Sequence, residues 1–137
     1  MVILDTNVIS ALMRNDVTAV GWLDRQSDLS VWTTTITLFE IRYGLSVMPL
    51  GRRRTFDEAA FNDILQKELA DRVLPFDRAA ADQAALLMAI RQRGGRIRES
   101  RDTMIAGIAL ANNAALATRN IRHFDDLRVP VVDPWHA

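Results

Sequence analysis

Short apolar runs alternate with longer stretches of helical periodicity along the whole chain. Each short run consists mainly of apolar or β-branched residues, a composition and length that predict a buried strand. The predicted strands lie at 1–4, 31–35, 73–76, 114–118 and 129–132. Because helical segments separate them, the pattern indicates an α/β fold, with three layers around a central, mainly parallel five-stranded sheet.

Apolar residues spaced three and four positions apart predict the helices between these strands. The predicted helices lie at 8–14, 17–26, 36–45, 55–72, 78–93 and 100–113. Gly44 and Pro49 are stop signals for the third helix, Asp77 is a suitable N-cap for the fifth, and the Gly94-Gly95 pair would end it. The fourth has an apolar face made of Phe61, Ile64, Leu65 and Leu69.

Length and composition favour a single domain over residues 1–137. The chain is 49% hydrophobic and contains neither a linker-like segment nor a cysteine, so the core must be held by packing and a thiolate metal site is excluded. No segment approaches the roughly 20 apolar residues that a membrane span needs. We therefore expect a soluble, cytoplasmic protein without a membrane partner.

The net charge of zero argues against a protein that coats nucleic acid by bulk charge. Lys67 is the sole lysine, so the basic side chains are almost entirely arginine, whose planar fork suits phosphate or carboxylate. A basic segment directly before Asp102 contains Arg91, Arg93, Arg96, Arg98 and Arg101. This basic segment is either a solvated loop or a surface for phosphate contacts. The arginines at 51–56 form a second group, which we interpret as surface charge away from the acids.

Three acidic residues follow predicted strands or begin predicted helices. Asp5 comes directly after the first strand, Glu40 lies early in the helix after the second, and Asp102 begins the helix before the fourth. Each also has an ordinary explanation: Asp5 as a helix cap, Glu40 in a capping box with Thr37, and Asp102 as a complement to a helix dipole. If a parallel sheet brings all three to one edge, their oxygens suit Mg²⁺ or Mn²⁺.

These residues resemble the motifs of the PIN-domain ribonucleases, particularly the VapC toxins of bacterial toxin–antitoxin pairs. The similarity runs through "MVILDTNVIS", "TTTITLFEIRYGL" and "RDTMIAGIALANNAALATRNIRHFDDL" followed by "VPVVDPW". It implies a PIN-like fold, with Asp5, Glu40 and Asp102 as catalytic residues and ligands of Mg²⁺ or Mn²⁺. It also implies an endoribonuclease that hydrolyses RNA phosphodiester bonds with a metal-activated water, leaving a 5′-phosphate and a 3′-hydroxyl.

The resemblance further implies supporting residues and partners. Thr6, Asn7 and Thr118 match polar positions that orient the acids or the water. A cognate antitoxin protein and a homodimer, or a hetero-oligomer with the antitoxin, are expected. The antitoxin's tail or the RNA would contact the basic segment, with Arg93, Arg96, Arg98 and Arg101 as candidates.

The loop after the fourth strand departs from the family pattern. Many relatives carry a fourth carboxylate there, at the positions of Asn120 or His123 in this chain. The sequence leaves open which of the two replaces it, and whether one metal or two bind. Asp125 and Asp126, just beyond, are interpreted as solvated turn residues.

Two alternatives remain beside the nuclease. "VILDTN" also resembles the aspartate loop of haloacid-dehalogenase-type phosphatases, but Asn7 stands where these need a second Asp, and Lys67 lies in a long amphipathic helix. The other alternative is a catalytically weakened PIN-like module that binds RNA or a partner without cutting. The sequence does not identify the RNA, the cleavage sequence or the antitoxin.

Overall fold

The computed structural model describes residues 1–137, apart from the side chain of Leu29. Five strands form one sheet: β1 Val2–Leu4, β2 Val31–Thr34, β3 Val73–Leu74, β4 Ala115–Ala117 and β5 Val131–Val132. Their order across the sheet is β3-β2-β1-β4-β5, and every neighbouring pair is parallel. The predicted α/β fold with a central parallel sheet is therefore confirmed.

Helices connect the strands and cover both faces of the sheet. They are α1 Thr6–Met13, α2 Val17–Asp24, α3 Thr35–Val47, α4 Arg52–Asp63, α5 Arg78–Arg93 and α6 Ser100–Ala111, with short 3₁₀ turns at Asp28–Ser30 and Ile121–His123. Adjacent residues of β1 point to opposite faces, so that Leu4 joins a core with α1 to α4 and Ile3 joins a core with α5 and α6. This arrangement gives the three predicted layers.

The stop signal at Gly44 and the capping box predicted for α3 are wrong, whereas the stop signal at Pro49 is confirmed. The helix does not stop at Gly44 but continues to Val47, because a helix tolerates one glycine and the exit is made at Met48, before Pro49. Thr37 does not begin a capping box. The N-cap is Thr34, whose hydroxyl oxygen accepts a 3.1 Å hydrogen bond from the Thr37 N–H.

The predicted helix at 55–72 has different bounds. It begins earlier, at Arg52, and its end widens into a π-helical turn over Ile64–Glu68, closed by the Leu69 N–H on the Ile64 carbonyl at 3.0 Å. The predicted apolar face is confirmed, since Phe61, Ile64, Leu65 and Leu69 are buried.

Helices α5 and α6 pack very closely, which fixes the start of α6 that carries Asp102. A Cβ at Gly107 would lie 2.6 Å from the Ala80 carbonyl oxygen and 2.7 Å from the Ala84 Cβ. The predicted N-cap of α5 is confirmed, because the Asp77 side chain accepts a 3.0 Å hydrogen bond from the Ala80 N–H.

Within the described residues, no helix has the length and apolarity needed to span a membrane.

Candidate active site

A cleft of about 460 Å³ opens at the carboxyl edge of the sheet, where β1, β2 and β4 end. Parallel α/β sheets bind ligands at this edge because the loops there are free of the sheet ladder. The three acids singled out from the sequence, Asp5, Glu40 and Asp102, all line the cleft. Its other lining residues are Thr6, Asn7, Ser10, Arg14, Glu99, Arg119, Asn120 and His123.

Asp5 is the most buried of the three acids, with 3% of its surface exposed. It caps α1: Oδ1 accepts a 2.8 Å hydrogen bond from the Thr6 N–H, and Oδ2 accepts one of 2.7 Å from the Thr118 hydroxyl. The pKa of Asp5 is raised to about 6, chiefly by burial; the Thr118 and Thr6 hydrogen bonds lower it, and the charges of Asp102 and Glu40 contribute a smaller rise. The Asp5 side chain thus both caps α1 and supplies a carboxylate to the cleft.

Glu40 is held in the cleft by Thr6. The Thr6 hydroxyl donates a 2.8 Å hydrogen bond to Glu40 Oε1 and lies 3.0 Å from the Thr37 hydroxyl, which must donate to it because the Thr6 proton is already used. Arg101 Nη1 lies 3.8 Å from Glu40 Oε2. Burial raises the pKa of the Glu40 carboxyl above its ordinary value, although the Thr6 hydrogen bond and the Arg101 charge lower it.

Asp102 stands in the first turn of α6 and contacts the loop after β4. His123 Nδ1 lies 2.8 Å from Asp102 Oδ2, and about half of the His123 side chain is exposed. His123, one of the two candidates for the fourth position, therefore contacts an acid of the cleft. Asn120 also lines the cleft.

Thr118 and Asn7 join the loop after β4 to the start of α1. Besides donating to Asp5, the Thr118 hydroxyl oxygen accepts from Asn7 Nδ2 at 3.2 Å and from the Asn120 N–H at 3.0 Å. Asn7 Oδ1 accepts from the Arg119 N–H at 3.1 Å. The polar residues chosen from the sequence thus bond either to the acids or to the backbone beside them.

The acids share a cleft but do not form a closed ligand cluster. Within the described residues, no group of three or more His, Cys, Asp or Glu side chains is close enough to hold a metal ion. Each acid is instead turned toward a partner of its own: Asp5 to Thr118, Glu40 to Thr6 and Asp102 to His123. Like charges repel, and this electrostatic cost contributes to the raised pKa of Asp5. A set of carboxylate oxygens is nevertheless the chemistry that a hard divalent cation prefers.

The basic segment is divided between two places. Arg96 Nη1 and Arg98 Nη2 each lie 3.6 Å from Asp125 Oδ1, away from the acids, whereas Arg101 reaches Glu40 and also pairs with Glu99 at 2.7 Å. Arg93 is exposed at the end of α5.

The buried Arg91 forms an ion pair with Asp126, whose side chain is 18% exposed, so the interpretation of Asp126 as a solvated turn residue is wrong. Only 2% of the Arg91 side chain is exposed, and its Nε and Nη2 each donate a 2.8 Å hydrogen bond to Asp126. Nη2 also donates to the His123 carbonyl at 3.0 Å. The Arg91 hydrogen bonds hold the pKa of Asp126 below its ordinary value. This pair anchors the loop that carries His123.

Three arginines near the acids were missed in the sequence. Arg14 and Arg119 line the cleft itself, and a second cleft of about 350 Å³, which shares Thr6, Arg14 and Glu40 with it, reaches Arg53. The interpretation of 51–56 as surface charge holds for Arg53, whose side chain is 86% exposed, although it lines a cleft that Glu40 also lines. Arg14 was detectable, because helical spacing puts it on the α1 face of Asn7 and Ser10. The position of Arg53 depends on the docking of α4, which no local pattern reveals.

Comparison with known proteins gives consistent matches over the whole chain. A family model described as PIN domain matches residues 2–129. VapC ribonuclease Y4jK of Sinorhizobium fredii is 36% identical over 137 residues, which is 98% of each chain, and Toxin FitB of Neisseria gonorrhoeae is 30% identical over 138 residues, which is 99% of each. The structure of FitAB bound to an IR36 DNA fragment superimposes with a TM-score of 0.89 at 30% identity, covering 100% of this chain and 97% of the other.

Proposed function

Because this chain belongs to the PIN domain family, we propose that it is a metal-dependent endoribonuclease and the toxin of a toxin–antitoxin pair. One observation carries this proposal: Asp5, Glu40 and Asp102 come from three separate parts of the chain and line one polar cleft at the carboxyl edge of the sheet. The similar VapC ribonuclease and Toxin FitB support the activity and the biological role.

Asp5, Asp102 and Glu40 would hold a divalent cation, Mg²⁺ or Mn²⁺, directly or through water. When bound, such a cation supplies a water of lowered pKa and neutralises charge on the attacked phosphate. Thr118 and Thr6 orient the carboxylates of Asp5 and Glu40 through their hydroxyls, which favours the ionised form of each acid. The expected products carry a 5′-phosphate and a 3′-hydroxyl.

Cleavage of a structured and an unstructured RNA by the purified protein tests this proposal. We expect cutting in Mg²⁺ or Mn²⁺, none in excess chelator, and none in Asp5→Asn or Asp102→Asn. Asp63→Asn is the matched control, because Asp63 is exposed on α4 outside the cleft. Full activity of the two cleft variants, or of the wild type in chelator, would contradict the catalytic assignment.

An antitoxin protein is the proposed partner, since the similar FitAB structure is a complex bound to DNA. Arg93, Arg96, Arg98 and Arg101 stay predicted contacts for the antitoxin or for RNA. Neutralising all four should weaken binding and reduce its salt dependence. Unchanged affinity and unchanged salt dependence for both ligands would mean that the segment is a solvated surface.

We further propose a homodimer. Phe39, Tyr43 and Val47 repeat every four residues along α3, each is more than half exposed, and the rings of the first two are stacked with centroids 6.3 Å apart. An apolar stripe of this kind is stabilised when a partner covers it. Light scattering should therefore give a dimer mass for the wild type and a lower mass for Tyr43→Glu.

A second candidate is a PIN-like module that binds RNA or a partner without cutting. The contact between His123 and Asp102, at a position where the family resemblance implies a further acid, favours this candidate. This candidate predicts that the wild-type protein binds RNA but yields no cleavage products in either Mg²⁺ or Mn²⁺.

We also propose that residues 1–137 act as one domain, and that the protein meets its RNA substrate in the cytoplasm.

A further inference from the structure

Arg119 lies at the edge of the acidic cleft in a constrained position. It follows Thr118 directly, and its N–H donates a 3.1 Å hydrogen bond to Asn7 Oδ1, which fixes its backbone beside Asp5. Its guanidinium carbon lies 3.7 Å from the centroid of the Trp135 ring. A cation–π contact of this closeness limits the rotamers of the side chain.

Trp135 is itself fixed from several sides. Its indole Nε1 donates a 3.3 Å hydrogen bond to Asp16 Oδ1, the N-cap of α2, and its backbone N–H donates to Asp133 Oδ1 at 2.9 Å. The partly buried ring also packs against the core formed with α1 to α4. The segment after β5 thus presents a rigid aromatic surface beneath Arg119.

The stacking leaves the charge of Arg119 available for a ligand. The ion pairs found among the described residues do not include it, whereas Arg101 at the other side of the cleft is engaged with Glu99 and Glu40. Arg119 is exposed over the Trp135 ring, and a guanidinium can form two parallel hydrogen bonds with one anion. A phosphate is the anion that this geometry suits within a nucleic-acid cleft.

We propose that Arg119 binds a non-scissile phosphate of the RNA and that Trp135 is the residue that positions it. This inference rests on the proposed endoribonuclease function. When RNA reaches Asp5 and Asp102, its neighbouring phosphates come close to carboxylates, which repel them. A positively charged side chain beside the acids is therefore needed to hold the RNA backbone. Arg119 is already ordered before binding, and less conformational entropy is lost when the contact forms.

Binding without cleavage tests the contact directly. In an Asp5→Asn background without metal, fluorescence anisotropy of a labelled single-stranded oligoribonucleotide should show about tenfold weaker binding for Arg119→Ala. The slope of log affinity against log salt should fall by about 0.7. Arg128→Ala is the matched control: it removes the same charge from an exposed position outside the cleft, where Arg128 Nη2 lies 3.5 Å from Gln83 Oε1, and should bind like the parent.

Steady-state cleavage by otherwise wild-type protein separates substrate binding from catalysis. Arg119→Ala should raise KM about tenfold with little change in kcat. Trp135→Leu should also raise KM. Trp135→Phe keeps an aromatic face, and its KM should stay close to that of the wild type. Melting curves establish that each variant is folded, and Arg119→Ala alone decides the outcome if Trp135→Leu does not fold.

Neutral methylphosphonate replacement of single phosphates locates the contact. One position near the cut should weaken binding by the parent but not by Arg119→Ala. If wild-type protein cleaves RNA and Arg119→Ala equals Arg128→Ala in KM, kcat and salt slope, the inference is wrong while the proposed function stands. If wild-type protein neither binds nor cleaves RNA, the proposed function itself fails.

Discussion

The hydroxyl of Thr118 donates a 2.7 Å hydrogen bond to Oδ2 of Asp5, although 113 positions separate the two residues in the chain. The contact exists because β1 and β4 are parallel neighbours, with Leu4 opposite Ala117, so the residues that follow the two strands meet. Thr118 is fully buried and serves the Asp5 carboxylate, Asn7 and the Asn120 N–H at once. Loss of one hydroxyl therefore affects several parts of the cleft.

Thr118→Val should lower both stability and activity. Valine has nearly the same shape but cannot donate to Asp5 or accept from the Asn120 N–H, and an unsatisfied buried polar group costs about 1–3 kcal/mol. Without this hydrogen bond the pKa of Asp5 should rise further, which weakens divalent-metal binding at neutral pH. Melting curves and calorimetric metal titration measure the two effects. Thr118→Ser keeps the hydroxyl and should stay close to wild type in both; equal behaviour of Val and Ser would contradict the role given to the hydroxyl.

Asp5 should make the metal-free protein less stable as the pH rises. Its pKa is about 6 in the folded protein and 3.8 in the unfolded chain, so the folded state binds the proton more tightly than the unfolded state. The resulting contribution is fully present below about pH 4 and is lost as the pH rises through 6. Asp5→Asn should remove this loss and stabilise the metal-free protein at pH 7 by about 1–3 kcal/mol. Melting temperatures of wild type and Asp5→Asn, measured in chelator from pH 5 to 8, check the result. If the two proteins showed the same dependence of melting temperature on pH, the prediction would be contradicted.

The sheet and the acids were predictable from the sequence because their signals are local. Short apolar strands predict a parallel α/β fold, and Asp5 and Asp102 can be placed at strand and helix ends by counting residues. The ends of helices were less predictable, because Gly44 is a stop signal only when nothing favours continuing the helix.

Contacts between distant segments were not predictable in the same way. Asp126 looks like a turn residue in the sequence, and its ion pair depends on Arg91 reaching it from α5 across 35 positions. The stacking of Arg119 on Trp135 and the approach of Arg53 to the cleft likewise depend on how whole elements dock. Such contacts are set by tertiary packing, on which local periodicity carries no information.

The ion pair between Arg91 and Asp126 should stabilise the fold. Asp126→Asn leaves the buried guanidinium without its anion, and disruption of such a pair costs about 3 kcal/mol. The neighbouring Asp125→Asn is the control: Asp125 is about half exposed and 3.6 Å from its arginines, so its loss should cost less than about 1 kcal/mol. Urea unfolding of both variants measures the difference, and equal midpoints would show that the buried pair is not stabilising.

The same pair predicts sensitivity to acid. Because the pKa of Asp126 is lowered in the folded state, its contribution is present above the unfolded value of 3.8 and is lost as the pH falls through the lower folded value. The stability difference between wild type and Asp126→Asn should therefore shrink below pH 4. Unfolding midpoints at pH 3 and pH 6 test this sign.

Gly107→Ala should destabilise the contact between α5 and α6. Its Cβ would overlap the Ala80 carbonyl and Ala84, and such overpacking costs about 1–3 kcal/mol. Gly44→Ala is the matched variant, since nothing lies within 4 Å of its Cβ and alanine favours a helix interior by up to about 1 kcal/mol. Thermal melts should shift in opposite directions for the two substitutions, and a shift in the same direction would contradict the close packing at Gly107.

Asn120 and His123 both line the cleft and are the two candidates for the predicted fourth position, and their substitution by aspartate should have different results. Asn120→Asp adds a like charge beside Asp5 and Asp102 without removing a contact of the acids, so it should destabilise the protein in chelator and tighten Mn²⁺ binding. His123→Asp also removes the 2.8 Å contact with Asp102, and the two carboxylates then repel each other at close range. We therefore expect the larger loss of stability in chelator and the larger gain of stability on adding Mn²⁺ for His123→Asp. Calorimetric titration and melts of both variants with and without Mn²⁺ measure this order. The reverse order would identify Asn120, and not His123, as the position closer to the bound cation.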